Sequence, residues 1–163
     1  MLLTALPVGA EAQERCETVA GRVVALEDVV EVARGAGGWR ALAEGDTVCA
    51  GEVLRAGDAG QGAVLLESGT VLRLNRGTTL RIEPSASDGR TVLNLLSGLI
   101  SLFNRRPHAL EVDTAFANAA VEGTEFTVEA TADRSHVVVL EGRVRIAHPH
   151  AACLLYTSPS PRD

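Results

Sequence analysis

The chain has 163 residues, 46% of them hydrophobic, which suits one domain with a buried core and argues against disorder. Its net charge is -6, all its basic residues are arginine, and aromatics make up only 3%. It therefore offers neither the basic face that phosphate backbones need nor the stacking platforms of base readers, so no nucleic-acid partner is expected.

Residues 1–12 read as a partial signal peptide. An apolar run from Leu2 to Ala10 precedes the small-residue pattern Ala10-Glu11-Ala12, although no basic segment leads it and Pro7 interrupts it. A disordered N-terminal tail is the alternative. No apolar run reaches the roughly 18–20 residues of a membrane-spanning helix, so no membrane span is expected in this chain.

From residue 16 to residue 150 the signal is β, and this segment is read as one β domain. Val23-Val24 and Val29, Val30, Val32 form a β-branched stretch. Val64–Leu66 and Val71–Leu74 flank Glu67-Ser68-Gly69-Thr70, a Gly-containing hairpin connection. Leu72 and Leu74 alternate with Arg73, and Leu80 and Ile82 with Arg81, as in strands with one buried face. Three segments share the pattern Gly, any residue, Val or Thr, Leu, Arg: Gly51–Arg55, Gly69–Arg73 and Gly77–Arg81. Their unequal spacing marks similar turn-then-strand units, with the arginines outward, and not a repeat array. Ser97-Gly98 predicts a turn inside the apolar stretch from Val92 to Leu102. Ala115–Ala120 is the one interior segment that could be helical. Val137–Leu140 and Val144–Ile146 around Glu141-Gly142 predict a hairpin. Many short strands with Gly turns make the fold all-β, in a solenoid-like or sandwich arrangement.

Residues 153–163, CLLYTSPSPRD, break with everything before them and hold the only tyrosine. They resemble the translation of a transposase sequencing adapter and are set aside from fold reasoning. Cys153 goes with them. Cys16 and Cys49 remain as an even pair, 33 residues apart, in a chain with an export-like start. A disulfide between them would contribute about 3–4 kcal/mol in the chain-entropy model. Two free buried thiols are the alternative.

Catalytic patterns are absent. No nucleophile elbow, phosphate loop or dinucleotide fingerprint occurs. His108, His136, His148 and His150 lack carboxylate or cysteine neighbours at metal-ligand spacing, so no metal or other cofactor is expected. Asp88 and Asp133 lie in polar stretches that read as turns. Trp39, the only tryptophan, reads as a core or lid anchor before a ligand platform. Gly123 and Gly142 sit where the chain must turn or pack backbone closely. Thr124, Phe126 and Val128 alternate with Glu125 and Thr127, which makes Phe126 a core anchor. Glu125 reads first as a strand residue paired with an arginine or a backbone amide and second as a recognition carboxylate for a partner.

The order of these segments resembles the FecR-like domain, the periplasmic module of iron-siderophore signalling regulators. The resemblance runs from Gly21 to Ile146, and its most specific part is Gly123-Thr124-Glu125-Phe126 with Val128, then Leu140-Glu141-Gly142 and Val144. It implies a non-enzymatic, periplasmic or otherwise exported β-module that acts by protein or ligand contact, with an unidentified protein partner. Two architectures follow. In the first, the module belongs to a larger exported protein. In the second, it is the sensor part of an anti-sigma regulator, which would carry a membrane span and a cytoplasmic segment upstream. No such span precedes Gly21 in this sequence, and the first architecture is the expected one.

Overall fold

The computed structural model describes residues 16–83, 89–148 and 151–157, without the side chains of 105–109, 123–124 and 151–157. The proposed signal segment, Asp88 and His150 lie outside the described residues. The fold is all-β, and every strand pairing among the described residues is antiparallel. A β-solenoid stacks its coils through parallel pairs, so of the two expected arrangements the sandwich is the nearer.

The first strands are β1 (Val19–Glu27), β2 (Val30–Ala33), β3 (Arg40–Ala41), β4 (Thr47–Cys49) and β5 (Val53–Ala56). They are followed by β6 (Gln61–Leu66), β7 (Thr70–Leu74) and β8 (Thr79–Ile82). Three long strands come next, β9 (Thr91–Asp113), β10 (Asn118–Ala130) and β11 (Ser135–His148), and then β12 (Ala151–Thr157). β9 is the spine. One wing runs β9-β7-β6-β1-β4 and the other β9-β8-β5-β2-β3. β7 and β8 are consecutive and pair with successive stretches of β9: Leu74 lies opposite Ile100, and Thr79 opposite Ser97.

The wings diverge at Gly98. Its φ is +99°, and a Cβ there would lie 2.5 Å from the Cα of Thr78. Thr78 is fully buried. Its hydroxyl accepts from the Leu99 N–H and donates to the Leu99 carbonyl, both at 3.0 Å. Gly98 is thus a bend within one strand and not the predicted turn between two. The register slips between Thr79 and Leu80, so Leu96 has no opposite residue and stays 52% exposed.

Past this bend the wings face each other across one core. Leu54, Leu80 and Leu95 from the second wing join Val64, Leu72 and Leu102 from the first. The three repeated segments supply Leu54, Leu72 and Leu80, all fully buried, while Arg55, Arg73 and Arg81 face away from the core as expected. The segment after β3 closes the far edges. The Leu42 N–H donates to the Val30 carbonyl at 2.8 Å, and the Gly45 N–H to the Val23 carbonyl at 2.9 Å. The sandwich is thereby barrel-like, which leaves few bare edges. Cys16 and Cys49 form the expected disulfide, with a Cα–Cα distance of 5.5 Å, tying the chain ahead of β1 to β4. The buried Glu52 carboxylate accepts from the Cys49 N–H at 2.8 Å and pairs with Arg34 at 3.2 Å, which fixes the turn beyond that disulfide.

Two further expectations are corrected. Ala115–Ala120 is not helical: Thr114 and Ala117 close a turn, and β10 starts at Asn118. Residues 137–146 are not a hairpin either. Gly142, with φ +126°, lies inside the continuous strand β11, directly opposite Gly123 of β10. In both corrected glycine cases the residue lies beside a register shift in a strand that carries on. A bulge and a turn look alike in sequence, because each calls for the conformation that glycine tolerates. Ala151–Thr157, which contains the start of the adapter-like segment, pairs with β11 from Arg143 to His148. An unpaired strand edge accepts almost any extended segment through its backbone, so this pairing carries no information on the segment's origin.

Candidate interaction surface

The bulge at Gly123 and Gly142 divides the β9-β10-β11 sheet. Below it, Phe126, Val128 and Ala130 of β10 are buried, and Phe126 pairs in register with Leu102 on one side and Val139 on the other. Phe126 is fully buried, as its alternation with Glu125 and Thr127 predicts. At the bulge Glu125 lies opposite Glu141. The motif residues Gly123, Glu125, Phe126, Glu141 and Gly142 are therefore brought together across two strands, while the Thr124 side chain is outside the described residues. Two like charges directly opposite on neighbouring strands repel, and neither carboxylate has an ion-pair partner among the described residues. The arginine expected as one possible partner of Glu125 is not paired with it among the described residues.

Above the bulge the same three strands form an arm. Its inner face buries Leu110, Val112, Ala119, Val121 and Val144. Its other face carries Glu111, Ala120 and Arg145 in one row, with Glu122 opposite Arg143 in the next. These side chains and Arg90 border a groove of about 340 Å³. Arg90 pairs with Glu111 at 3.0 Å. The Asn118 amide donates to both Glu111, at the groove, and Asp113, which holds the two carboxylates near one another. Burial raises the pKa of Asp113 above its ordinary value. The Asn118 hydrogen bond opposes that rise, and the neighbouring Glu111 charge adds to it.

Arg143 and Arg145 are exposed, alternate with buried Val144, and form no ion pair among the described residues. Two adjacent guanidinium groups present a fork geometry suited to carboxylates of another chain. The alternation Glu111-Val112-Asp113 and Arg143-Val144-Arg145 was visible in the sequence, but only the register shows that these strands flank β10. Among the described residues no group of three His, Cys, Asp or Glu side chains could hold a metal.

The remaining sequence candidates lie elsewhere. Trp39 is 41% exposed and is no core residue. The Arg55 guanidinium stacks 3.9 Å from its ring centroid, and the same Arg55 bonds Glu31 at 2.6 Å. His136 sits 3.6 Å from Glu129 on the outer face of β11. Asp133 closes the turn before β11, accepting from the Thr131 hydroxyl at 2.9 Å.

Two crystal structures of a candidate anti-sigma factor from Parabacteroides distasonis ATCC 8503, at 1.65 and 2.50 Å resolution, share the fold. Their TM-scores are 0.55 and 0.56, both at 22% identity, and each alignment covers 64% of this chain. This chain spans 50% of the length of those proteins. No curated protein matches it. The profile described as FecR protein matches residues 52–145, from the turn before β5 through the arm to Arg145, and that is more than half of the sequence: the chain belongs to the FecR protein family.

Proposed function

We propose that this chain is the extracytoplasmic sensor module of a FecR-type signalling regulator, working by protein contact and without catalysis. Its membership of the FecR family and its fold likeness to a candidate anti-sigma factor support a signalling role. The Cys16–Cys49 disulfide supports an oxidising compartment, since cytosolic thiols are kept reduced. The observation that carries the contact reading is the arm. The three strands keep their inner face in the core, and their outer face presents Arg143 and Arg145, with no ion-pair partner among the described residues, beside the Glu125–Glu141 pair. Unpaired charges of both signs on a rigid sheet set orientation and encounter rate with a partner of complementary pattern. The partner's matching surface would carry carboxylates against the arginines and a basic group against the glutamates.

The test uses the full-length regulator in its own host, with signal-dependent transcription as the readout. Reversing Arg143 and Arg145 to Glu should abolish the response while leaving the protein level unchanged. An unchanged response after both that reversal and removal of the whole module would refute the reading. Export is tested separately by fusion to alkaline phosphatase, which is active only where its own disulfides form.

A further inference from the structure

The outer face of the first wing lies apart from the arm. Register sets six strands side by side there, in the order β1, β6, β7, β9, β10, β11. One row of outward residues runs from Thr47 of β4 to Arg22, passes Leu65, Val71 and Phe103, and ends on Glu125 and Glu141. The next row starts at Ala25 and Ala63, passes Arg73 and Ser101, and ends on Val138. Beyond it Glu27 marks the β1 end, and Glu129 with His136 the β11 end.

The two ends are opposite in shape and in charge. At the β11 end Val138 and Leu140 stand out, 55% and 53% exposed. At the β1 end the small residues Ala25, Ala63 and Ser101 help to line a groove of about 420 Å³. Arg22 is exposed at the groove end, while Glu141 is exposed at the protruding end, and neither forms an ion pair among the described residues.

We propose that this face is a two-fold self-association surface whose occupant is a second copy of this chain. Consider a two-fold axis in the interface, parallel to the strands and passing between β7 and β9. It maps each row onto itself and exchanges the ends, as an isologous contact requires. β11 of one copy then crosses β1 of the other. Val138 enters the recess bordered by Ala25 and Ala63, Leu140 and Glu141 meet Arg22, and His136 meets Glu27. Val71 and Phe103 face each other at the centre. The other two-fold in that plane, across the strands, sets each end against itself, so that Val138 meets Val138, protrusion against protrusion, and recess faces recess. Shape selects the first, and the Arg22–Glu141 contact is compatible with it.

Sedimentation velocity over a roughly hundredfold concentration range tests this on the full chain. The expected result is a mass that rises toward that of two copies for the wild type, and a single-copy mass for Val138→Asp and Ala63→Arg. Arg22→Glu and Glu141→Arg should each weaken the dimer by about tenfold or more. Their equimolar mixture should recover it, because the swapped charges meet across the axis. The substituted side chains lie on the outer face, so at the lowest concentration, where all are single copies, melting temperatures should match the parent's and show that each variant is folded. A wild type that stays a single copy throughout overturns the proposal. So does a Val138→Asp protein that dimerises as the parent does, or a charge-swap mixture that gains nothing over the single variants.

Discussion

Gly98→Ala tests the bend on which the fold turns. Two costs are separable. At φ +99° an alanine occupies a region disfavoured for L-residues, costing about 1–2 kcal/mol. The added Cβ would also lie 2.5 Å from the Thr78 Cα and 2.5 Å from its hydroxyl oxygen. Backbone cannot swing aside as a flexible side-chain tip can, so overpacking adds about 1–3 kcal/mol. The total is about 2–5 kcal/mol. At about 2–4 °C per kcal/mol for a domain of this size, melting should fall by roughly 5–20 °C. Gly45→Ala is the control. Its φ is +88°, but nothing lies within 4 Å of a Cβ there, so it carries the conformational cost alone. Thermal unfolding followed by circular dichroism should rank parent, Gly45→Ala and Gly98→Ala in falling order. Equal melting of the two variants would show that Gly98 is not clamped against Thr78, and the shared-strand account of the two wings would fail with it.

Phe126→Ala should cost about 3–5 kcal/mol in chemical denaturation, because a fully buried ring between Leu102 and Val139 leaves a cavity. Glu125→Ala should change stability little or raise it slightly, since it relieves the repulsion with Glu141. Reduction of the Cys16–Cys49 bond should destabilise the fold by about 2–4 kcal/mol, and thiol labelling of the native oxidised protein should find neither cysteine. The Ala43 N–H, and then Arg40 at 2.9 Å, hold the Asp46 carboxyl below its ordinary pKa. Its ionised form therefore adds stability that is complete above the ordinary value and lost as pH falls through the lowered one. Asp46→Asn should remove about 0–1 kcal/mol at neutral pH, the pair being partly exposed and screened, and should flatten the acid limb of a stability–pH curve.

The sequence reveals those parts of the fold that rest on alternation. Leu72-Arg73-Leu74 and Leu80-Arg81-Ile82 read as half-buried strands, and the structure buries their leucines and isoleucine while the arginines face outward. Thr124 to Val128 reads the same way and places Phe126 correctly. The disulfide is legible because only two cysteines remain once Cys153 is set aside. Glycine is where the reading fails. Gly69 closes a true turn at φ +83°, whereas Gly98 at +99° and Gly142 at +126° bend strands that carry on. Nothing local separates these cases. The difference is made by residues far along the chain, Thr78 for Gly98 and Gly123 for Gly142.

The same distance explains why neither surface could be read in advance. Arg143 and Arg145 gain their meaning from Glu111 and Ala120, which lie beside them only through the β10 register. Val138 and Leu140 look in sequence like half of a buried hairpin, because apolar residues run from 137 to 140 without a break. In the sheet Val137 and Val139 turn toward Phe126 and the core, which leaves Val138 and Leu140 on the outer side. A four-residue apolar run on a strand must expose two of its members unless both faces are covered. Leaving two large apolar residues at the edge of a six-strand face, rather than alternating them with charge, favours association over solubility. The glycine bends and this apolar run then act together. Gly98 opens the sandwich so that one face of β9-β10-β11 closes on the core. Gly123 and Gly142 break the register of that sheet, and beyond them the arm keeps its inner face in the core. What remains outside is an outer face with a protruding end and a recessed end, and a charged groove above it.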